Sequence, residues 1–138
     1  MIQRPALTRD DAMTLLLAAE AEAARNDWAV SLAVCDDGGH LMAFVRRPGA
    51  TPASAQIAQA KARTAALMRR ETLGVEQMIN QGRTAFLSVP GLDGLLEGGV
   101  PVMVEGHCVG AVGVSGVKSA EDAQIARAGI AALLQTPA

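Results

Sequence analysis

The chain has 138 residues, half of them apolar, and a formal charge of −2 from 12 Lys and Arg against 14 Asp and Glu. That length suits one domain, 1–138, which buries roughly two-thirds of its unfolded surface around a single core and needs no covalent staple. One Trp, two Phe and no Tyr, with no basic run longer than a pair such as Arg46-Arg47, exclude a nucleic-acid surface, which needs a basic stripe and stacking rings.

No uninterrupted apolar run approaches the length of a bilayer, and no basic segment leads into an apolar one at the amino terminus, so no membrane partner is expected and the cytoplasm is the expected location. Cys35 and Cys108 lack metal-ligand spacing and read as reduced, buried thiols. High apolar content with few charges in a short chain leaves apolar surface for self-association, so a homo-oligomer is expected.

In chain order, Thr8 precedes Arg-Asp-Asp and the apolar series Ala12, Leu15, Leu16, Ala19, Ala23, which predicts a capped amphipathic helix to about Asn26. Ala29–Cys35 and Leu41–Val45 flank the turn cluster Asp36-Asp-Gly-Gly39 and predict an antiparallel hairpin. Thr51-Pro52 opens a second helix, Ala53 to about Arg70, punctuated by Gly74. A short third helix is expected over Val75–Gly82, then a loop through Pro90, Gly91 and Gly94 that passes over the sheet. Strands at about Val100–Glu105 and Cys108–Ser115 form a second hairpin, and Ser119 is expected to cap the last helix, with Asp122 as its reciprocal partner. This order contains no repeated strand-helix-strand unit and predicts an α+β fold with helices packed on an antiparallel sheet.

Glycines at 98, 99, 106, 110, 113 and 116 are too dense for an ordinary strand and imply that something approaches that backbone closely. The step of three between Gly110, Gly113 and Gly116 thins both faces, which suits a helix on one side and a ligand or neighbouring subunit on the other. The Gly116–Lys118 loop then points backbone amides and the positive end of the last helix at one place, a ready anion site.

On the second helix, Ala53, Ile57, Thr64 and Met68 share a stripe centred on Ile57, and Lys61 lies about 40° from that centre. Lys61 is therefore the one cation aimed at the packed side, either to bind a carboxylate or phosphate with Thr64, or to pair structurally with Glu97 or Glu105. Ser115 reads as structural. His40 and His107 have no partner at metal-ligand spacing, so no metal cluster is expected, although a single imidazole serves as an axial haem ligand without one.

Ala58-Gln-Ala-Lys61-Ala-Arg-Thr64-Ala, Gly98-Gly-Val-Pro101, Val109-Gly-Ala-Val-Gly-Val-Ser-Gly116 and Glu121-Asp122-x-x-Ile125-Ala126 together resemble the GlcG/HbpS family, which includes the carboxy-terminal domain of PduO-type proteins. The resemblance runs from about Leu7 to Leu134 and takes in the Asp37-Gly-Gly-His-Leu41 turn and Arg46. It implies a profilin-like layered fold, with a sheet of about five strands between helices, assembly into oligomers and, for several members, haem as cofactor. The expectation is an oligomeric protein that binds haem or another flat carboxylated molecule. Lys61, Thr64 and Arg46 would meet its carboxylates, Gly99, Pro101, Gly113, Ser115 and Gly116 would form the pocket floor, and His40 stands as a further candidate. The alternative is a small catabolic enzyme, an isomerase, tautomerase or deaminase, with Lys61 or Arg46 holding an unsaturated acid and His40 or a carboxylate moving a proton. No acid-base pair at a diagnostic spacing decides between them.

Overall fold

The computed structural model describes residues 1–135. Helix α1 (Arg9–Arg25) begins in a capping box, where Thr8 Oγ1 accepts the Asp11 N–H at 3.1 Å and Asp11 Oδ2 accepts the Thr8 N–H at 2.8 Å. Strands β1 (Ser31–Asp36) and β2 (Leu41–Arg46) form the first hairpin, with a bulge between Val34 and Cys35 that sets Leu41 opposite Cys35. Helix α2 (Pro52–Met68) starts with proline in its first turn under the Thr51 cap and ends in a left-handed residue, Arg69, at φ 55°.

Helix α3 (Thr72–Asn80) begins before the expected Val75 and takes Gly74 into its first turn. Its start is anchored in the sheet, because the buried Thr72 hydroxyl accepts the Gly99 N–H at 2.9 Å. A 3-10 turn (Thr84–Ser88) follows, then the loop through Gly94. That loop runs along α2 and not over the sheet: Arg63 donates to the Gly91 carbonyl, and the Thr64 hydroxyl donates to the Asp93 carbonyl at 2.7 Å.

Strands β3 (Gly99–Val104) and β4 (His107–Ser115) form the second hairpin and complete a four-stranded antiparallel sheet in the order β2-β1-β4-β3. The two hairpins supply four strands where the resemblance implies about five. Pro90 and the left-handed Gly91 and Gly94, at φ 80° and 61°, keep the segment after α3 from extending into a fifth. The α+β layering itself is as expected.

Helix α4 (Ser119–Leu134) differs at its start, where Lys118 is the cap residue and its N–H donates to Glu121 at 3.3 Å. Asp122 is free of that duty and turns inward. Helices α1 and α4 cover one sheet face, where Leu15, Leu32, Val34, Val102, Val112, Val114 and Ile125 are fully buried. Each such side chain contributes about 1.5–3 kcal/mol by leaving water. The opposite face holds a thinner layer, Ala33, Cys35 and Ala111 under Ala58, Ala62, Ala65 and Ala66 of α2.

Candidate functional site

The thin layer explains Gly99 and Gly113. Gly113 pairs with Gly99 on one side and with Ala33 on the other, so a side-chain-poor trough crosses three strands. Helix α2 lies in it. A Cβ at Gly113 would stand 2.1 Å from the Ala58 carbonyl oxygen, and one at Gly99 2.3 Å from the Lys61 carbonyl oxygen. Gly99 and Gly113, expected to floor a ligand pocket, therefore seat a helix backbone. Pro101 is half-buried in β3 opposite Ala111, Ser115 is buried opposite Ser31, and Gly116, at φ 144°, lies against the Ala29 carbonyl.

The side of α2 that packs is rotated by about 80–100° from the stripe centred on Ile57, onto Ala58, Ala62 and Ala65. Ile57 and Met68 are half-buried and Ala53 is exposed. Alanine wins the contact because only a methyl fits where two backbones come this close.

Lys61 is buried, as its wheel position implies, but its partner is neither Glu97 nor Glu105. Its Nζ donates to the Val114 carbonyl at 2.9 Å and to Asp122 Oδ2 at 3.2 Å, with both side chains 3% exposed. Asp122 Oδ1 also accepts the Val117 N–H at 3.2 Å, and so fills with the protein's own carboxylate the anion position expected at the head of α4. Burial pushes the Asp122 carboxyl up to about 6, against the pull of Lys61 and the Val117 N–H. Thr64 is also engaged internally, through Asp93. Lys61, Thr64, Gly99 and Gly113 thus come together as one helix-to-sheet contact, whereas His40 and Arg46 lie at the β2 edge of the molecule.

At that edge α2 stops short of covering the sheet. Leu41, Phe44 and Arg46 share the α2 face of β2, since their partners on β1 are Cys35, Ala33 and Ser31. Leu41 is 52% exposed and Phe44 36%, and Leu67 of α2 is 41% exposed close by. A groove of about 160 Å³ runs between helix and strand, lined by Cys35, Gly39, Leu41, Gln59, Ala60, Ala62 and Arg63. Arg46 Nε donates to the Ala50 carbonyl at 3.1 Å.

His40 lies between two residues of that lining, Gly39 and Leu41. Asp36 Oδ1 accepts the N–H groups of Gly38 at 2.9 Å and His40 at 3.0 Å, and stands 3.2 Å from His40 Nδ1. Burial raises the Asp36 carboxyl, but these donors outweigh it and hold it below the usual range. An ionised carboxylate only accepts, so Nδ1 is the donor in this contact, and the His40 side chain is 81% exposed. Burial pushes the Cys35 thiol up to about 12, so it stays protonated at neutral pH.

Sequence reasoning passed over Arg63, which a wheel centred on Ile57 turns away from the packed side, and Leu41 and Phe44, which it placed in an ordinary strand. A four-stranded sheet with one helix on this face was the available signal, because one helix is too narrow to cover four strands.

Residues 7–131 match the family described as haem-degrading protein HbpS-like. The chain belongs to that family. It is 55% identical to the protein GlcG of Escherichia coli K12 over 109 residues, covering 79% of this chain and 81% of GlcG. Among solved structures it is similar to a double mutant of HbpS from Streptomyces reticuli, with 33% identity, a TM-score of 0.88 and coverage of 99% of this chain and 92% of that one. A haem complex of PduOC gives 28% identity, a TM-score of 0.83 and coverage of 93% and 95%. Among the described residues no helix is long and apolar enough to cross a membrane.

Proposed function

We propose that this HbpS-like protein binds haem, or another flat carboxylated molecule, in the groove between α2 and β2, and does so as a homo-oligomer. The observation that carries the proposal is the Asp36–His40 contact at the groove's end. A metal-binding imidazole characteristically gives its other nitrogen to a carboxylate, and this one is already set that way. The remaining chemistry fits the group. Leu41, Phe44 and Leu67 offer an apolar face to a ring, Arg63 lines the groove and supplies a cation for a propionate, and the protonated Cys35 thiol does not compete as a thiolate ligand. The name of the family and the haem complex of PduOC support the same choice.

At about 160 Å³ the groove is smaller than the 300–1,000 Å³ typical of ligand sites, so one protomer covers one face of such a molecule. A second copy would cover the other, which is the physical reason for proposing an oligomer. When bound, haem would supply iron redox chemistry, while the protein's own residues hold the ring, orient the iron through His40 and pair with the carboxylates.

Titrating the purified protein with hemin tests this. The expected result is a saturable, shifted Soret band that His40→Ala loses and Asp36→Asn weakens, with light scattering showing more than one chain per particle. Absence of saturable binding in the wild type overturns it. The same dyad is also a proton-transfer pair, which favours as second reading a catabolic enzyme holding an unsaturated acid on Arg63. In that case hemin fails to bind and small unsaturated acids turn over.

A further inference from the structure

A second cavity lies away from this groove, between α3 and the segment that follows it. It measures about 420 Å³ and is lined by Glu76, Ile79, Asn80, Leu87, Leu92, Asp93, Gly94, Leu95 and Leu96. We propose that this cavity is a second binding site, selective for a small aromatic or aliphatic amine.

The first support is that its wall is fixed in advance. The chain from Gly91 to Gly94 is tied to α2 by Arg63 at the Gly91 carbonyl and by Thr64 at the Asp93 carbonyl, 2.7 Å from its hydroxyl. Gly94, at φ 61°, sits so close that a Cβ there would be 2.8 Å from the Ala60 Cβ and 2.9 Å from the Lys61 nitrogen. At the other end Glu76 Oε1 accepts the Glu97 N–H at 3.1 Å and joins α3 to the start of β3. A pocket anchored at both ends loses little chain entropy when a ligand enters.

The second support is the sign of its polar groups. Five of the lining side chains are aliphatic, and the others with polar atoms are two carboxylates, Glu76 and Asp93, and the Asn80 amide. No cation lines it. Neither nearby arginine is in the lining: Arg63 donates to the Gly91 carbonyl and faces the α2–β2 groove, and Arg83 lies over the Phe86 ring at 5.9 Å. An anion entering here meets the repulsion of two carboxylates, whereas an ammonium group pairs with them as its apolar body covers Leu87, 62% exposed, and Leu96, 48% exposed. Two carboxylates are too few for a metal cage, and among the described residues no group of three potential ligands is found. The one charged residue lining the α2–β2 groove is Arg63, so the charged linings of the two sites differ in sign.

Methyl-labelled protein titrated with 2-phenylethylamine, and separately with 3-phenylpropanoate, tests the proposal. The expected result is saturable shifts of the Ile79, Leu87, Leu92, Leu95 and Leu96 methyls with the amine alone, weakened about tenfold or more in the Asp93→Asn, Glu76→Gln double variant. Both substitutions keep an oxygen acceptor, and the dispersion of the methyl spectrum reports that the fold is intact. Leu87→Ala, at an exposed position, weakens the amine as well and serves as the second variant. Equal shifts with the carboxylate, unchanged affinity in both variants, or shifts confined to other methyls overturn the proposal. Hemin binding is read separately by its Soret band, so either site can fail alone.

Discussion

Lys61 Nζ and Asp122 Oδ2 meet 3.2 Å apart, across 61 positions of sequence, in a pair that is 3% exposed on both sides. The pair joins the middle of α2 to the first turn of α4 through the end of β4, where the Val114 carbonyl takes a second Lys61 proton at 2.9 Å. It sits outside both proposed sites, and its role is to hold three elements in register.

Removing one member strands a buried charge, which costs about 3–5 kcal/mol. Lys61→Met is therefore expected to lower the unfolding free energy by that amount at pH 7.5, while Lys61→Met with Asp122→Leu recovers most of it. Urea unfolding of the four proteins of the double-mutant cycle measures both. A single variant as stable as the wild type would show that the pair carries no stability.

Asp122 also makes stability depend on pH in an uncommon direction. Burial lifts its carboxyl from 3.8 to about 6 in the folded state, against Lys61 and the Val117 N–H, with Glu121 adding to the rise. The folded protein then holds this proton where the unfolded chain has released it. The contribution is full below about pH 4 and is lost as pH rises through about 6, at up to about 1.4 kcal/mol per unit. Chemical denaturation of wild type and Asp122→Asn between pH 4 and 8 checks this, and the difference between them should follow that slope. A difference that is flat with pH refutes it.

Gly113→Ala and Gly99→Ala are expected to destabilise the fold by about 1–3 kcal/mol or more, because each methyl meets a carbonyl of α2 well inside contact distance. Gly106→Ala is the control. It lies at a turn with nothing within 4 Å of an added Cβ, and its cost comes only from its φ of 78°. Melting temperatures by circular dichroism rank the three, and Gly106→Ala is expected to lose least.

Cys35 and Cys108 are buried, and burial raises both thiols, Cys35 to about 12. Thiol reagents are expected to label the native protein orders of magnitude more slowly than the urea-unfolded chain at pH 8. Occupancy of the α2–β2 groove should slow Cys35 further and leave Cys108 unchanged, since only Cys35 lines it. Mass spectrometry after timed quenching separates the two.

Most of the fold was readable in advance because local chemistry writes it. The Thr8 box, the Thr51-Pro52 start and the Asp36–Gly39 turn each satisfy backbone groups within a few residues, so caps and turns bound the elements correctly. The differences have two sources. Hydrophobic periodicity pointed to Ile57 and Met68, but the packed seam is alanine against glycine, and small residues leave no mark on a hydrophobicity wheel. Gly74 looks like a stop in the sequence, but in the first turn of α3 it costs little and the anchor of Thr72 to Gly99 holds the helix start.

The chain alone thus specified the order of helices and hairpins, the inward aim of Lys61 and the presence of a strand that something must approach closely. Only the folded molecule decided that the something is α2, that Lys61 answers Asp122, and that His40, Asp36 and Arg63 share one edge beside an uncovered strip of β2. The first set rests on contacts within a few residues. The second rests on strand register and helix placement, which bring distant segments together and are set by the close packing of the whole core.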